Sequence, residues 1–305
     1  MASMPIEALL GEAAEELLGP VILAPPKAAL VLPGTDFVER AWLDSDRPLR
    51  VLAGLQRLLD QGRLAGTGHL FVAALSPAGE RGTDVRAVRR PRGPAAMIEL
   101  ALEGGCSAVV GDAGWLGGAA RRYAHRIPFL AWVAAGEAVA VTAAAEIGAV
   151  GVVIHAGEDP NGEGALPRQV AERVREARAL GLVAVVATGV YGPAADGPPG
   201  VELAVGLGAD LVWAFDSPGE GAPLSAVREA VAAASGGRVG LLGAGGWLSA
   251  GASLPEAVRE AVVNKRGGGM GLVVQLEAGA ASDEELVASM HLVQDVYRRG
   301  DLTVA

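Results

Sequence analysis

Eight short apolar runs, separated by stretches with helical spacing, constrain this chain more than any other feature. They are His69–Leu75, Ser107–Gly111, Pro128–Val133, Ala149–His155, Leu182–Thr188, Ala209–Phe215, Val239–Ala244 and Gly269–Gln275. A strand that is apolar at nearly every position has both faces buried, which is the condition of a parallel sheet covered by helices. Between the runs, apolar residues recur three and four apart, as at Val170, Val174 and Ala177 within Leu166–Leu180, and again in Leu254–Val263. Glycines close several of these helices, at Gly104-Gly105, Gly181 and Gly236-Gly237. The pattern predicts an α/β fold, a (β/α)8 barrel over residues 66–305. A doubly wound open sheet is the alternative, because counting strands does not establish closure.

Ahead of the repeats the pattern is irregular. Residues 5–18 read as a short amphipathic helix, and residues 19–47, rich in Pro, Gly and Asp, as an extended arm. Arg47-Pro48 then opens a helix that runs to about Gly62, with proline at the first turn, where its missing N–H costs nothing. Residues 1–65 are thus expected to form an N-terminal helical arm lying on the barrel.

The formal net charge of −10 argues against nucleic acid or an anionic membrane surface as a partner. It also disfavours a multiply phosphorylated ligand unless a local basic site overrides it. All but two of the 25 basic residues are arginine, so a lysine-dependent mechanism has only Lys27 and Lys265 to draw on. The single cysteine, Cys106, excludes a disulfide framework and reads as a small core residue. No apolar run reaches membrane-spanning length and no leader pattern opens the chain, which points to the cytoplasm.

Five segments together carry a family resemblance: LPGTDFV (Leu32–Val38), GRLAGTG (Gly62–Gly68), RRYAHRIPFL (Arg121–Leu130), AVVNKRGGGMGL (Ala261–Leu272) and VQDVY (Val293–Tyr297). The chain resembles the class I fructose-bisphosphate aldolases of the archaeal and bacterial type, from the arm to the last helix. The resemblance implies a closed barrel. It also implies a Schiff base between a lysine on the sixth strand and a ketone, because a primary amine must condense with the carbonyl before the protonated imine can withdraw electrons.

The positions at which the family does its chemistry are altered here. Its sixth-strand lysines fall on Trp213 and Phe215, its first-strand aspartate on Ser76, its third-strand lysine on Trp132 and its fourth-strand tyrosine on His155. Its seventh-strand serine falls on Ala244, although Gly245-Gly246 persist, and its eighth-strand Gly-Arg phosphate cradle falls on Gln275-Leu276. No catalytic residue of the family pattern is retained, and neither a cofactor nor a metal is implied. Lys27 in the arm and Lys265 ahead of the eighth strand read as structural or solvated. His69, His125 and His291 belong to scaffold segments.

Four of the five tryptophans, Trp115, Trp132, Trp213 and Trp247, fall near the expected barrel mouth. They are expected to plug the volume a substrate would occupy; the alternative is an aromatic-lined pocket for an apolar or cationic ligand. The ligand-binding candidates are His155, Tyr191, Gly245, Gly246, Trp247 and Gln275, and the glycine pair could offer N–H groups to one phosphate. Asp112, Glu137, Glu158, Asp159, Asp216 and Glu277 make the mouth acidic, while Arg86, Arg89, Arg90 and Arg92 read as a solvated loop run. His155 with Glu158 and Asp159 does not have the spacing of a metal motif.

The expected function is a non-catalytic or diverged aldolase-like barrel with a structural or regulatory role, assembling as a homo-oligomer, alone or mixed with an active relative. The alternative is different chemistry on a non-phosphorylated small molecule, using His155 and nearby carboxylates. Conventional fructose-bisphosphate cleavage is the least favoured reading, because the lysine it needs is not at the expected position.

Overall fold

The structure is a computed structural model that describes residues 6–75, 93–137, 139–155, 165–188, 200–214, 223–248, 254–276 and 282–305, with backbone alone for Ala165, Leu166 and Trp247. Eight strands form the centre: β1 (Leu70–Ala74), β2 (Ala108–Asp112), β3 (Phe129–Ala134), β4 (Gly151–His155), β5 (Val183–Thr188), β6 (Leu211–Ala214), β7 (Gly240–Leu248) and β8 (Gly271–Leu276). They pair in parallel in chain order, and β1 pairs with β8, so the barrel is closed and the open-sheet alternative is excluded. Every side chain of β5 is buried, as a strand between lumen and helices requires.

Helices alternate with the strands. The outer ring contains α5 (Pro94–Glu103), α6 (Ala113–Tyr123), α7 (Ala140–Glu146), α8 (Ala165–Leu180), α9 (Val201–Gly206), α10 (Leu224–Ala233), α11 (Leu254–Gly267) and α12 (Asp283–Arg298). Ahead of them lie α1 (Ile6–Leu10), α2 (Ala14–Leu18), α3 (Phe37–Trp42) and α4 (Leu49–Leu59). Three local expectations need correction. The helix expected over 5–18 is interrupted by a 3-10 turn at Gly11–Ala13, where Gly11 takes a positive φ of 54°. The extended arm contains α3. The seventh strand continues past Ala244 to Leu248 through a bulge formed around Gly245 and Gly246.

Two close approaches show why glycine-rich scaffold segments recur. Barrel closure pairs Leu70 with Gly271, and a Cβ on Gly271 would stand 1.9 Å from the Leu70 carbonyl oxygen. Gly68, at φ +79°, brings the GRLAGTG segment against LPGTDFV, where a Cβ would lie 2.1 Å from the Gly34 nitrogen. Any side chain there must displace backbone.

The base of the barrel, at the N-terminal strand ends, is held by buried charge. The Asp210 carboxylate is fully buried; it accepts from Arg47 Nε at 2.6 Å and from the Ala184 amide at 2.9 Å, joining β6 to β5 and to the approach of α4. Burial pushes the Asp210 carboxyl above its usual range, and the Ala184 N–H and Arg47 oppose that shift.

Both lysines also lie away from the C-terminal strand ends. Lys265 Nζ, in the last turn of α11, donates to the carbonyls of Val296 (3.1 Å), Tyr297 (3.0 Å) and Arg299 (2.6 Å), satisfying acceptors that the end of α12 leaves open. Burial draws its pKa down to about 8. Lys27 is exposed and reaches the Val304 carbonyl at 3.2 Å. Arg228 donates to Gly267 (2.9 Å), Pro25 (3.0 Å) and Ala305 (2.6 Å), so the arm and the last residues are clamped to the same helix pair. Arg299 links Glu7 of α1, at 2.8 Å, to Asp301. Cys106 is buried beside Met290, with its sulfur 3.7 Å from the thioether.

Asp210→Ala should destabilise the fold by about 3 kcal/mol, because it strands a partly buried guanidinium and an amide; urea unfolding would read this as a lower midpoint with an unchanged slope. The hydrogen bond from Arg299 holds the Asp301 carboxyl down at about 2, against a usual 3.8. A depressed carboxyl stabilises above its unfolded pKa and loses that contribution as pH falls through the folded one. Asp301→Asn should therefore melt below wild type at pH 5, and the two melting curves should converge by about pH 2.

Candidate functional site

Functional sites of closed parallel barrels lie at the C-terminal strand ends. The rings of Trp132 on β3 and Trp213 on β6 meet edge to face, with centroids 5.6 Å apart. These strands are not neighbours, so both side chains point into the lumen. Paired residues of parallel strands point to the same side, and the register carries that orientation round the barrel. Asp112 pairs with Trp132, Ala134 with His155, His155 with Ala187 and Ala187 with Trp213. On the far wall, Leu242 follows Trp213, Ala244 pairs with Val273, and Ala74 pairs with Gln275.

The resulting mouth has two unlike walls. On one, three rings climb from the interior towards the rim. Trp213 is buried at 3% exposure, Trp132 is half-buried, and the half-buried His155 ring stacks on Trp132 at 5.5 Å and 24°. On the other, the lumen-facing residues at the strand ends are small or short. Ala74, Ala244 and Gln275 are half-buried, and Ala134, beside the aromatic wall, is exposed. Trp213 fills the deeper lumen, whereas the rim retains accessible surface among the described residues.

The charges at this level follow from local structure. Asp112 ends β2 and caps α6, its Oδ1 accepting from Gly114 N at 2.8 Å and Trp115 N at 3.2 Å. This carboxylate occupies the helix N-terminus that could otherwise receive a phosphate. Among the described residues, no Lys or Arg occupies a lumen-facing position at the strand ends. Nor, among the described residues, do any three His, Cys, Asp or Glu side chains gather closely enough to hold a metal ion.

Of the residues the sequence singles out, Trp132, His155 and Trp213 come together. Gln275 faces the same lumen, paired with Ala74 and with the backbone of Trp247. Gly245 and Gly246 form the bulge of β7; Gly245 is packed where a Cβ would lie 2.6 Å from Val274 Cγ1, and Gly246 takes φ +65° in open space. Ser76, Phe215, Tyr191, Glu158, Asp159, Asp216, Glu277, Arg86, Arg89, Arg90 and Arg92 lie outside the described residues. His69 sits at the opposite end, beside the Tyr297 ring at 5.0 Å, and burial draws its pKa down to about 3. The juxtaposition of Asp112 with Trp132 escaped the sequence reading. The signal available was an aspartate directly after one strand run and just ahead of a helix, one βα unit before the tryptophan's own strand.

No family model matches the chain. Among curated proteins it is similar to the probable class 1 fructose-bisphosphate aldolase of Chlamydia muridarum, at 33% identity over 95% of this chain and 96% of the relative. It is also similar to the corresponding protein of Chlamydia pneumoniae, at 32% identity over 98% and 99%. Among solved structures it superimposes on an archaeal fructose-1,6-bisphosphate aldolase whose catalytic lysine is covalently bound to the carbinolamine intermediate. That match has a TM-score of 0.56 and 18% identity, over 80% of this chain and 99% of the other. The aldolase of Slackia heliotrinireducens gives a TM-score of 0.59 at 16% identity, over 86% and 95%. The structural likeness establishes the shared barrel; the level of identity and the coverage of the chlamydial relatives establish more, and on that ground this chain belongs to the class I fructose-bisphosphate aldolase family.

Proposed function

We propose that this chain is a diverged member of the family that forms no Schiff base and does not cleave fructose bisphosphate. Its role is structural or regulatory, as an oligomer of itself or together with an active relative. The observation that carries this reading is the position of the only two lysines. Lys265 Nζ is occupied by three backbone carbonyls at the end of α12, and Lys27 reaches the Val304 carbonyl. An imine needs a primary amine that can approach a carbonyl at the mouth. The low pKa of Lys265 would suit a nucleophile, but its burial does not.

The mouth supports the same reading. A buried Trp213 fills the lumen at the end of β6, and the strand ends offer a bisphosphate no guanidinium or ammonium among the described residues. The segments shared with the family do scaffold work instead: Gly271 closes the barrel, Gly68 seats the arm and Lys265 anchors the last helix. A scaffold kept while the mouth changes suits a role exercised through assembly. The second reading, different chemistry at the same mouth, draws on the accessible rim around His155.

Incubation with dihydroxyacetone phosphate followed by borohydride reduction should leave the intact mass unchanged; a covalent adduct would refute the proposal. Trp213→Lys should also remain inactive on fructose bisphosphate in a coupled assay, since one amine restores neither a proton donor nor a phosphate site. Cleavage by that single variant would mean the remaining groups suffice.

A further inference from the structure

We infer that residues 300–305, the extended stretch after α12, form an exchangeable strap that docks on the base of a second copy of this chain as it docks on its own. The inference rests on the proposed function, in which the chain acts through assembly, and it names the contact and the partner.

The receiving site is built around a guanidinium. Arg228 on α10 is fully buried, and each of its four described hydrogen bonds ends on a main-chain oxygen: Gly267 (2.9 Å) and Arg266 (3.3 Å) of α11, Pro25 of the arm (3.0 Å) and Ala305 (2.6 Å). The strap is gripped by its backbone. The Ala305 N–H donates to the Arg266 carbonyl at 3.0 Å, and Lys27 Nζ donates to the Val304 carbonyl at 3.2 Å. Its apolar side chains are seated as well. Leu302 is buried, and Val304 joins Leu32 and Val231 around Gly268, where a Cβ would stand 3.8, 3.1 and 3.7 Å from the three side chains.

This site does not tolerate being empty. Without Ala305, the buried Nη2 of Arg228 keeps only the 3.3 Å contact to the Arg266 carbonyl. An unmet buried donor costs about 1–3 kcal/mol, more when it is charged. The receptor therefore requires a strap, yet its contacts do not depend on which copy supplies it. Residues 302–305 are held by α10, α11 and the arm, and among the described residues by no hydrogen bond to α12, the helix they leave. The Arg299–Asp301 ion pair ties the strap to its own helix end, but those side chains are 31% and 65% exposed, and such pairs contribute less than about 1 kcal/mol. The chain exits at Arg299, which is extended at ψ 115°, and at exposed Gly300, where a Cβ would meet no atom within 4 Å. It can take another direction there without a clash. Exchange between two copies keeps the receptor's contacts and closes on itself as a two-fold dimer.

Disulfide trapping separates the two arrangements, because Lys27 meets Val304 and the native Cys106 is buried. Full-length Lys27→Cys and Val304→Cys variants, mixed and oxidised, should give a disulfide-linked dimer that peptide mapping assigns to positions 27 and 304. A mixture that gives no more dimer than either variant alone would overturn the inference. Adding Arg228→Lys to both variants keeps the charge but loses the fork and should cut the dimer yield about tenfold. An unchanged yield would mean chance collision and would overturn it too. Where that variant fails to fold, Lys27→Cys and Val304→Cys in one chain serve instead: the dimer share should rise with protein concentration, and wholly intramolecular disulfide at every concentration would refute exchange. A borohydride-trapped adduct would overturn the proposed function whatever the strap does, whereas absence of the 27–304 dimer with no adduct removes only the strap.

Discussion

Closure of β1 against β8 is the contact on which the rest of this protein depends. Five residue pairs join the first and last strands, beginning at Leu70 and Gly271. The backbones meet so closely there that a Cβ on Gly271 would overlap the Leu70 carbonyl. Without that pairing, β1 and β8 would present unsatisfied edges, and residues now facing a shared lumen would lie at opposite ends of a sheet. The site exists because closure brings β3 and β6 within ring contact across the interior.

Closure also divides the molecule into two ends with different chemistry. At the base, charge serves structure. Asp210 binds Arg47 and the Ala184 amide, Lys265 satisfies the end of α12, and Arg228 gathers carbonyls from the arm and the last residues. These groups are costly to bury and are tolerated because nearly every donor meets an acceptor. At the mouth, aromatic and small residues meet, and the carboxylate of Asp112 is tied to a helix cap. The segments that resemble the family lie mostly at the base and in the helices that serve it. A chain can therefore keep the family's scaffold while its mouth becomes unsuited to a sugar bisphosphate.

Much of this was legible in the residues themselves. The eight apolar runs gave the strands to within a residue or two at most ends, because a strand buried on both faces has no polar position to hide. The seventh was misjudged at its C-terminal end: Gly245-Gly246 looked like a stop and is a bulge, since in a closed barrel the strand continues wherever β8 still offers partners. The amphipathic helix over 5–18 was read through Gly11, whose positive φ breaks it. Lys265 could be read as non-catalytic from its place ahead of β8, yet nothing local indicated that its ammonium would meet three carbonyls some thirty residues away.

The sequence by itself determined the layering, the number of βα units and the scarcity of lysine. Each of these is written in local periodicity or in composition, which reports burial and little else. The tertiary structure decided which side chains meet: Trp132 with Trp213 across the lumen, His155 flat against Trp132, and the Asp112 carboxylate on the first amides of α6. Those contacts depend on register and closure. A one-residue slip in pairing would turn each of these side chains from the lumen to the helix layer, and it is backbone pairing between distant segments that fixes that choice.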